Sequence, residues 1–267
     1  MSTFPLVPVH ASILSSYDAK GQTGGPRANL RPLAQLGKAG IAAPDTAAAL
    51  LLLHGEVTAA GGDLRITECH RDVAVQVTAR AKYDRWVAAG KPKPGTAGFD
   101  TKTMKADYVA VPGKSNHNAG RAIDVHLGAL KFPNVPAGQQ LDKLWSIAVP
   151  LGWSPVIKAA DEGASEAWHF DYWGELRGVF SRLGYEQAAL CGALLVGHAG
   201  EFQTYARLVQ ALLCRAGFNI GLIDGAIGPR TRAVGATALN MPEADFAARL
   251  TRQDDTLIPK LAALAAG

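Results

Sequence analysis

The chain has 267 residues, 48% of them apolar and 19% charged, with a formal net charge of +4. That length allows one large domain or two smaller ones with a sizeable core, and the residue balance excludes a disordered or collagen-like chain. The mild positive charge suits an anionic surface such as a bacterial wall, but no arginine–lysine run or aromatic-interleaved strand provides the dense basic patch of a nucleic-acid binder.

Residues 1–40 are rich in Gly, Pro and Ala and read as an irregular arm with one short helix over 31–38. The first basic residue is Lys20, and Pro5 and Pro8 interrupt the apolar stretch. No secretion signal is therefore expected, and a product made in the cytoplasm would reach a wall or periplasm after lysis or through a dedicated secretion system. A helix is predicted over 45–60, following Pro44 and stopping at Gly61-Gly62. A short alternating strand follows over 64–69. Val73, Val77, Ala81 and Trp86 then give helical spacing over 72–89, with a stop at Gly90. Residues 91–105 form a loop and lead through 108–111 to a second loop at 115–120. A strand is expected over 122–127, a helix over 139–151, an aromatic-rich strand over 168–173 and one helix over 175–196. Strands and helices mix without regular alternation, so the fold class is α+β, a small antiparallel sheet with flanking helices.

After about residue 180 the texture becomes helical, with helices over 202–216, 231–238 and 244–266 around a glycine-rich loop at 217–229. The simplest organisation is a catalytic domain over 1–180, including the arm, and a three-helix domain over 181–267. The longest apolar runs, 47–53 and 188–197, fall short of the roughly 18 residues of a membrane span, so no membrane insertion is expected. Cys69, Cys191 and Cys214 contain no C-x-x-C pair and read as small buried hydrophobes, with Cys69 close enough to Arg71 to approach a site.

The chemistry concentrates in S-N-H-N-A-G-R-A-I-D-V-H from Ser115 to His126 and in E-A-W-H from Glu166 to His169. A catalytic zinc site keeps three protein ligands and an open fourth position. His117, Asp124 and His169 can fill the three, leaving Glu166 as a base. His117 and Asp124 are too far apart for one helical turn, so a loop would deliver the first and a strand the second. Glu166 and His169 would face opposite sides of a continuous strand, which places Glu166 in the turn before it. Arg71 is the candidate cation for a tetrahedral oxyanion. His126 lies two residues past Asp124 and reads as a neighbour of the site rather than a ligand. His10, His54, His70 and His198 read as surface or packing residues.

The pattern S-x-H-x-x-G-x-A-x-D (Ser115, His117, Gly120, Ala122, Asp124) followed by E-x-W-H (Glu166, Trp168, His169) resembles the zinc D-Ala-D-Ala carboxypeptidases of the VanY type. That group includes phage L-alanyl-D-glutamate endopeptidases and shares its fold with the hedgehog signalling domain. The lead-in V-A-V-P-G at 109–113, the Gly152-Trp153 pair, and Arg71 with Gln76 also look like the family, although its usual G-Y-R-S reads C-H-R-D here. The likeness spans about 60–175. It implies one zinc ion on His117, Asp124 and His169, Glu166 as base, Arg71 at the oxyanion, and Ser115, Gln76 and Trp168 positioning substrate. The C-terminal part is similar to small helical peptidoglycan-binding domains. Val209–Leu213 in numbers 209–213, Gly217-Phe218, and the turn Asp224, Gly225, Gly228 and Thr231 carry that likeness, with Thr231 placed to cap the next helix. The usual F-Q after that helix is replaced by A-T-A-L-N.

The resemblance implies a monomeric zinc peptidase acting on peptidoglycan stem peptides, with D-Ala-D-Ala cleavage favoured. The alternative is an L-Ala-D-Glu or cross-link endopeptidase, as in a phage endolysin or an injected wall-degrading effector. A non-catalytic, metal-containing wall-binding module is the alternative of another class.

Overall fold

The computed structural model describes residues 3–9, 13 and 40–267. The helix expected over 31–38 and His10 lie outside the described residues. A two-residue strand β1 (Val7–Pro8) pairs antiparallel with β2 (Ile41–Ala42), and α1 (Pro44–Ala59) follows at once. Pro44 suits this start because its fixed φ matches the first helical turn, where its missing N–H leaves no bond unmade. Thr46, Ala49, Leu50, Leu53 and Val57 recur at helical spacing and are buried, whereas Leu51 and Leu52 face outward.

Next come β3 (Ile66–Glu68), α2 (Val73–Ala88), β4 (Ala122–Val125), α3 (Gln140–Ala148), β5 (Trp153–Pro155) and β6 (His169–Tyr172). Asp72 caps α2 by accepting a hydrogen bond from the Ala74 backbone N–H at 2.8 Å. The strand expected over 122–127 stops at Val125, and the chain enters a 3₁₀ turn at Leu127–Ala129. The helix expected over 139–151 ends at Ala148, and Gly152 takes a left-handed φ of 91° before β5.

The strands form one antiparallel sheet in the order β3-β4-β6-β5. Its register sets Ile123 opposite Phe170 and Asp124 opposite His169. Because side chains alternate between faces, one face takes the apolar pair and the other takes the polar pair. The apolar face, with Ile66, Ile123, Val125, Trp153 and Phe170, packs into a core shared with α1 and α3. The first strand departs from simple alternation. Ile66 pairs with Val125 but Glu68 pairs with Asp124, which requires a bulge between them. The bulge turns Glu68 onto the polar face.

Beyond β6 the chain forms α4 (Arg177–Leu183), α5 (Tyr185–Leu195), α6 (Tyr205–Arg215), α7 (Pro229–Ala238), α8 (Glu243–Thr251) and α9 (Leu257–Ala266). The single helix expected over 175–196 is broken at Gly184, whose φ of 79° cannot continue a right-handed helix. The run expected over 244–266 is likewise two helices, separated at residues 252–256, where Gln253 has a φ of 55°. Six helices therefore surround a second core that starts at Trp173 and Leu176 and extends to Ala265, and five of them, α5 to α9, lie within 181–267 where three were expected. No described helix is long and apolar enough to cross a membrane.

The two cores meet at a buried ion pair. Arg121, at the start of β4 and only 3% exposed, donates through Nη1 to Asp45 Oδ2 of α1 at 2.7 Å. The same carboxylate oxygen accepts from the Glu175 backbone N–H at 3.1 Å, and Glu175 pairs with Arg215 of α6. Removing one partner of such a pair strands the other charge in the interior. Arg121→Met should therefore cost about 3 kcal/mol of stability in urea unfolding, and a loss below about 0.5 kcal/mol would show that the pair does not brace the cores.

Candidate active site

Cross-strand register delivers the first two groups of the site, since Asp124 and His169 are direct partners on the polar face of the sheet. The loop before β4 delivers the third. His117 Nε2 lies 3.2 Å from Asp124 Oδ1 and 3.2 Å from His169 Nδ1, and His169 Nδ1 lies 3.1 Å from Asp124 Oδ1. Both imidazoles are buried and the carboxylate is partly so.

The opposite ring nitrogens settle what these atoms carry. His117 Nδ1 is 2.8 Å from the Cys69 carbonyl oxygen, which can only accept, so Nδ1 holds the proton and Nε2 presents a lone pair. His169 Nε2 is 3.1 Å from Asp171 Oδ1 and donates to it, so Nδ1 is the nitrogen that can turn a lone pair to an ion. Two imidazole nitrogens and a carboxylate oxygen thus converge on one point, an arrangement that needs a proton or a metal ion between them. Metal bonds of about 2.0–2.1 Å at tetrahedral angles put donor atoms about 3.3 Å apart, close to the spacing seen. Among the described residues this is the one trio of His, Cys, Asp or Glu donors so gathered. The donor set fits a zinc-type ion.

Titration reports the same field. Burial pulls the His169 imidazole down, but hydrogen bonds to Asp124 and Asp171 more than reverse this and push it up to about 10, so an ion entering the trio displaces a proton from this ring. Burial raises Asp124, yet His117 and His169 hold its carboxyl far below the usual carboxylate range.

The histidine loop is tied down on every side. Asn116 Nδ2 donates to Asp171 Oδ1 at 2.9 Å, and Asn118 Nδ2 donates to the Arg71 carbonyl at 2.7 Å. The Arg71 backbone N–H donates to the His117 carbonyl at 3.0 Å. Gly120 closes the loop with a φ of 63°, and a Cβ there would lie 2.9 Å from the Ala43 backbone nitrogen that donates to its own carbonyl. Only glycine combines that backbone with that approach.

Around the trio is a cavity of about 670 Å³ lined by Arg71, Gln76, Ser115, Glu166 and Trp168, among others. Glu166 occupies the turn before β6 with a φ of 66°, and its carbonyl accepts from the His169 backbone N–H at 3.0 Å. Burial raises its carboxyl above the ordinary value, against the opposing pull of His169. Arg71 is pinned. Its Nε bonds both Glu68 oxygens at 3.1 and 3.0 Å, Nη2 also pairs with Glu68, and Nη1 donates to Gln76 Oε1 at 3.1 Å. Nη2 is 3.6 Å from Asp124 Oδ2. Burial works against the guanidinium's charge, but Glu68 outweighs it and raises the pKa. Gln76 in turn donates to the Ala110 carbonyl at 2.8 Å.

His126 stands outside the trio, in a neighbouring cleft of about 530 Å³ shared with Glu68, Asp124 and Trp168. Cys69 approaches the site through its carbonyl, and burial keeps its thiol well above the ordinary value and protonated. His70 packs edge-on against His198 at 4.5 Å. Sequence reasoning missed Glu68, Asn116, Asn118 and Asp171. Asp171 was within reach, because it shares a strand face with His169 two residues earlier.

In the C-terminal helices, Asp224 and Gly225 make the turn after α6. Asp224 Oδ1 accepts from Gln210 Nε2 at 3.0 Å and from the Ala226 N–H at 2.8 Å, and the Gly225 N–H donates to Gln210 Oε1 at 2.8 Å. Thr231 does not cap α7. Gly228 is the N-cap, Pro229 begins the helix, and Thr231 is buried inside it.

A family model described as VanY: D-alanyl-D-alanine carboxypeptidase matches residues 41–175, half of the chain. No curated protein and no solved structure matches. The matched segment holds the trio, Glu166, Arg71 and the residues that orient them.

Hydrogen bonds behind a ligand typically set its metal affinity by 10–100-fold. Asp171→Asn, which keeps the shape but loses the charge that fixes the His169 tautomer, should weaken zinc binding in equilibrium dialysis by about tenfold or more. Unchanged affinity would remove Asp171 from that role.

Proposed function

This chain belongs to the VanY family of D-alanyl-D-alanine carboxypeptidases, and we propose that it is a zinc peptidase that trims peptidoglycan stem peptides, with D-Ala-D-Ala as its favoured bond. The observation that carries this reading is the convergence of three metal-donor side chains, both imidazoles backed by a fixed partner, beside a raised carboxyl in the same cavity. His117, Asp124 and His169 would hold one zinc ion, which when bound polarises a scissile carbonyl and acidifies water.

The chain's own residues then divide the work. Glu166 takes a proton from the attacking water as its oxygen bonds to the carbonyl carbon. It delivers that proton to the departing amine as the C–N bond breaks. A carboxyl raised by burial is better suited to both transfers than an ordinary one. Arg71, its orientation set by Glu68 and Gln76, adds fixed positive charge for the developing oxyanion. Ser115 and Trp168 line the cavity where the peptide would lie. The C-terminal helices, with the Asp224–Gly225 turn, serve as the wall-binding unit in this reading, so the division near residue 180 separates cutting from holding.

One observation favours a second reading. The neighbouring cleft along Glu68, His126 and Trp168 continues from the cavity past Asp124, which leaves room on both sides of a scissile bond. That suits an endopeptidase cutting L-Ala-D-Glu or a cross-link.

Digestion of purified sacculi with and without a chelator, followed by mass spectrometry, separates these outcomes. Loss of a single D-alanine identifies the carboxypeptidase, and new amino termini at D-glutamate or a cross-link identify the endopeptidase. Absence of any chelator-sensitive product would defeat the enzyme reading and leave a binding module. Glu166→Ala should lower kcat by about 10²–10⁴-fold while zinc stays bound, and undiminished hydrolysis would overturn its role as base.

A further inference from the structure

The family match ends at residue 175, but the catalytic cavity does not. Tyr185 and Glu186, the first residues of α5, line it together with Lys114, the residue before Ser115. Lys114 Nζ and Glu186 Oε2 form an ion pair at 3.1 Å, with the lysine side chain 24% and the glutamate 60% exposed. Opposite charges from two parts of the chain are thus displayed on one wall of the cavity.

Both partners have rigid supports. Lys114 follows Gly113, where a Cβ would come within 2.6 Å of the Ala199 carbonyl oxygen, so its loop lies hard against the chain after α5. Its ammonium also lies 5.7 Å from the Phe202 ring centroid. Glu186 is carried by a helix whose residues from Ala188 to Leu195 are all buried. Tyr185 fixes the start of that helix, packing edge-on against Trp173 at 5.2 Å with its hydroxyl 3.4 Å from Asp171 Oδ1.

We propose that Lys114 and Glu186 form a subsite for a zwitterionic side chain, one ending in an ammonium and a carboxylate on the same carbon. This proposal rests on the stem-peptide reading above, because stem peptides carry a diamino acid whose side chain ends either in that zwitterion or in an ammonium alone. A zwitterion can dock head to tail on the pair, its ammonium on Glu186 and its carboxylate on Lys114, so that every charge has an opposite neighbour. A simple ammonium meets Glu186 but also the repulsion of Lys114, and the two effects largely cancel. The pair therefore selects for the zwitterion through the penalty it places on the plain amine.

Two synthetic pentapeptide stems test this, identical except for meso-diaminopimelate or L-lysine at the third position, with kcat/KM measured on the full-length zinc-loaded chain. The wild type should prefer the diaminopimelate stem by about fivefold, the worth of one modest ion pair. Lys114→Gln should abolish that preference, and Glu186→Gln should reduce it. Using the ratio of the two substrates cancels any general loss from altering a residue near His117. Equal rates on both stems in the wild type, or a preference that survives both substitutions, would overturn the subsite while leaving the peptidase intact. Cleavage of neither stem would instead count against the peptidase reading on which the subsite rests.

Discussion

Three lone pairs aimed at one point are the constraint on which the rest of this structure depends. Left to themselves, His117 Nε2, His169 Nδ1 and Asp124 Oδ1 would turn away from each other or share a proton. They are held because each imidazole is committed at its other nitrogen, one to the Cys69 carbonyl and one to Asp171. The folding free energy of the surrounding sheet and loop thus keeps the three donor groups gathered at one point. Preorganisation of this kind is what metal affinity and electrostatic catalysis both require.

The sheet is the device that makes the commitment possible. Its two faces carry opposite tasks with a period of two residues, so Ile123 and Phe170 build the core while Asp124 and His169 build the site. Any one-residue slip would exchange them, which means that the hydrophobic core enforces the register of Asp124 and His169. The bulge in β3 extends the polar face by one more acid. Without it Glu68 would follow Ile66 into the core, and Arg71 would lose the partner that fixes its fork.

The sequence carried the candidate donor trio and the proposed base plainly, because His117, Asp124, Glu166 and His169 are of the right chemical types and fall in an ordered motif. It also carried the bounds of α1 and α2, since Pro44 and the glycines after each helix are neighbours along the chain. What it could not carry depended on backbone sign or on distant partners. Leu64, Ile66 and Glu68 alternate as a regular strand would, and only pairing with β4 reveals the extra residue. Gly184 inside a segment of helical spacing costs a continuing helix about 1 kcal/mol, which such helices tolerate, so its positive φ was not predictable from composition. Thr231 has the chemistry of a cap, but Pro229 fixes the first turn two residues earlier.

The C-terminal helices are more than an appendage in this arrangement. Asp171, which orients His169, also accepts from Asn116 and lies within reach of the Tyr185 hydroxyl, so one carboxylate links ligand, histidine loop and α5. On the far side of the sheet's first strand turn, Arg121 links α1 to the segment leading into α4, and Glu175 passes that link to Arg215 of α6. The face that carries Asp124 and His169 is therefore clamped to the second core at both ends of the 115–121 loop. A helical unit so placed, in the proposed wall-binding role, would hold the chain in a fixed orientation, because the helix that lines the cavity belongs to the same packed group of helices.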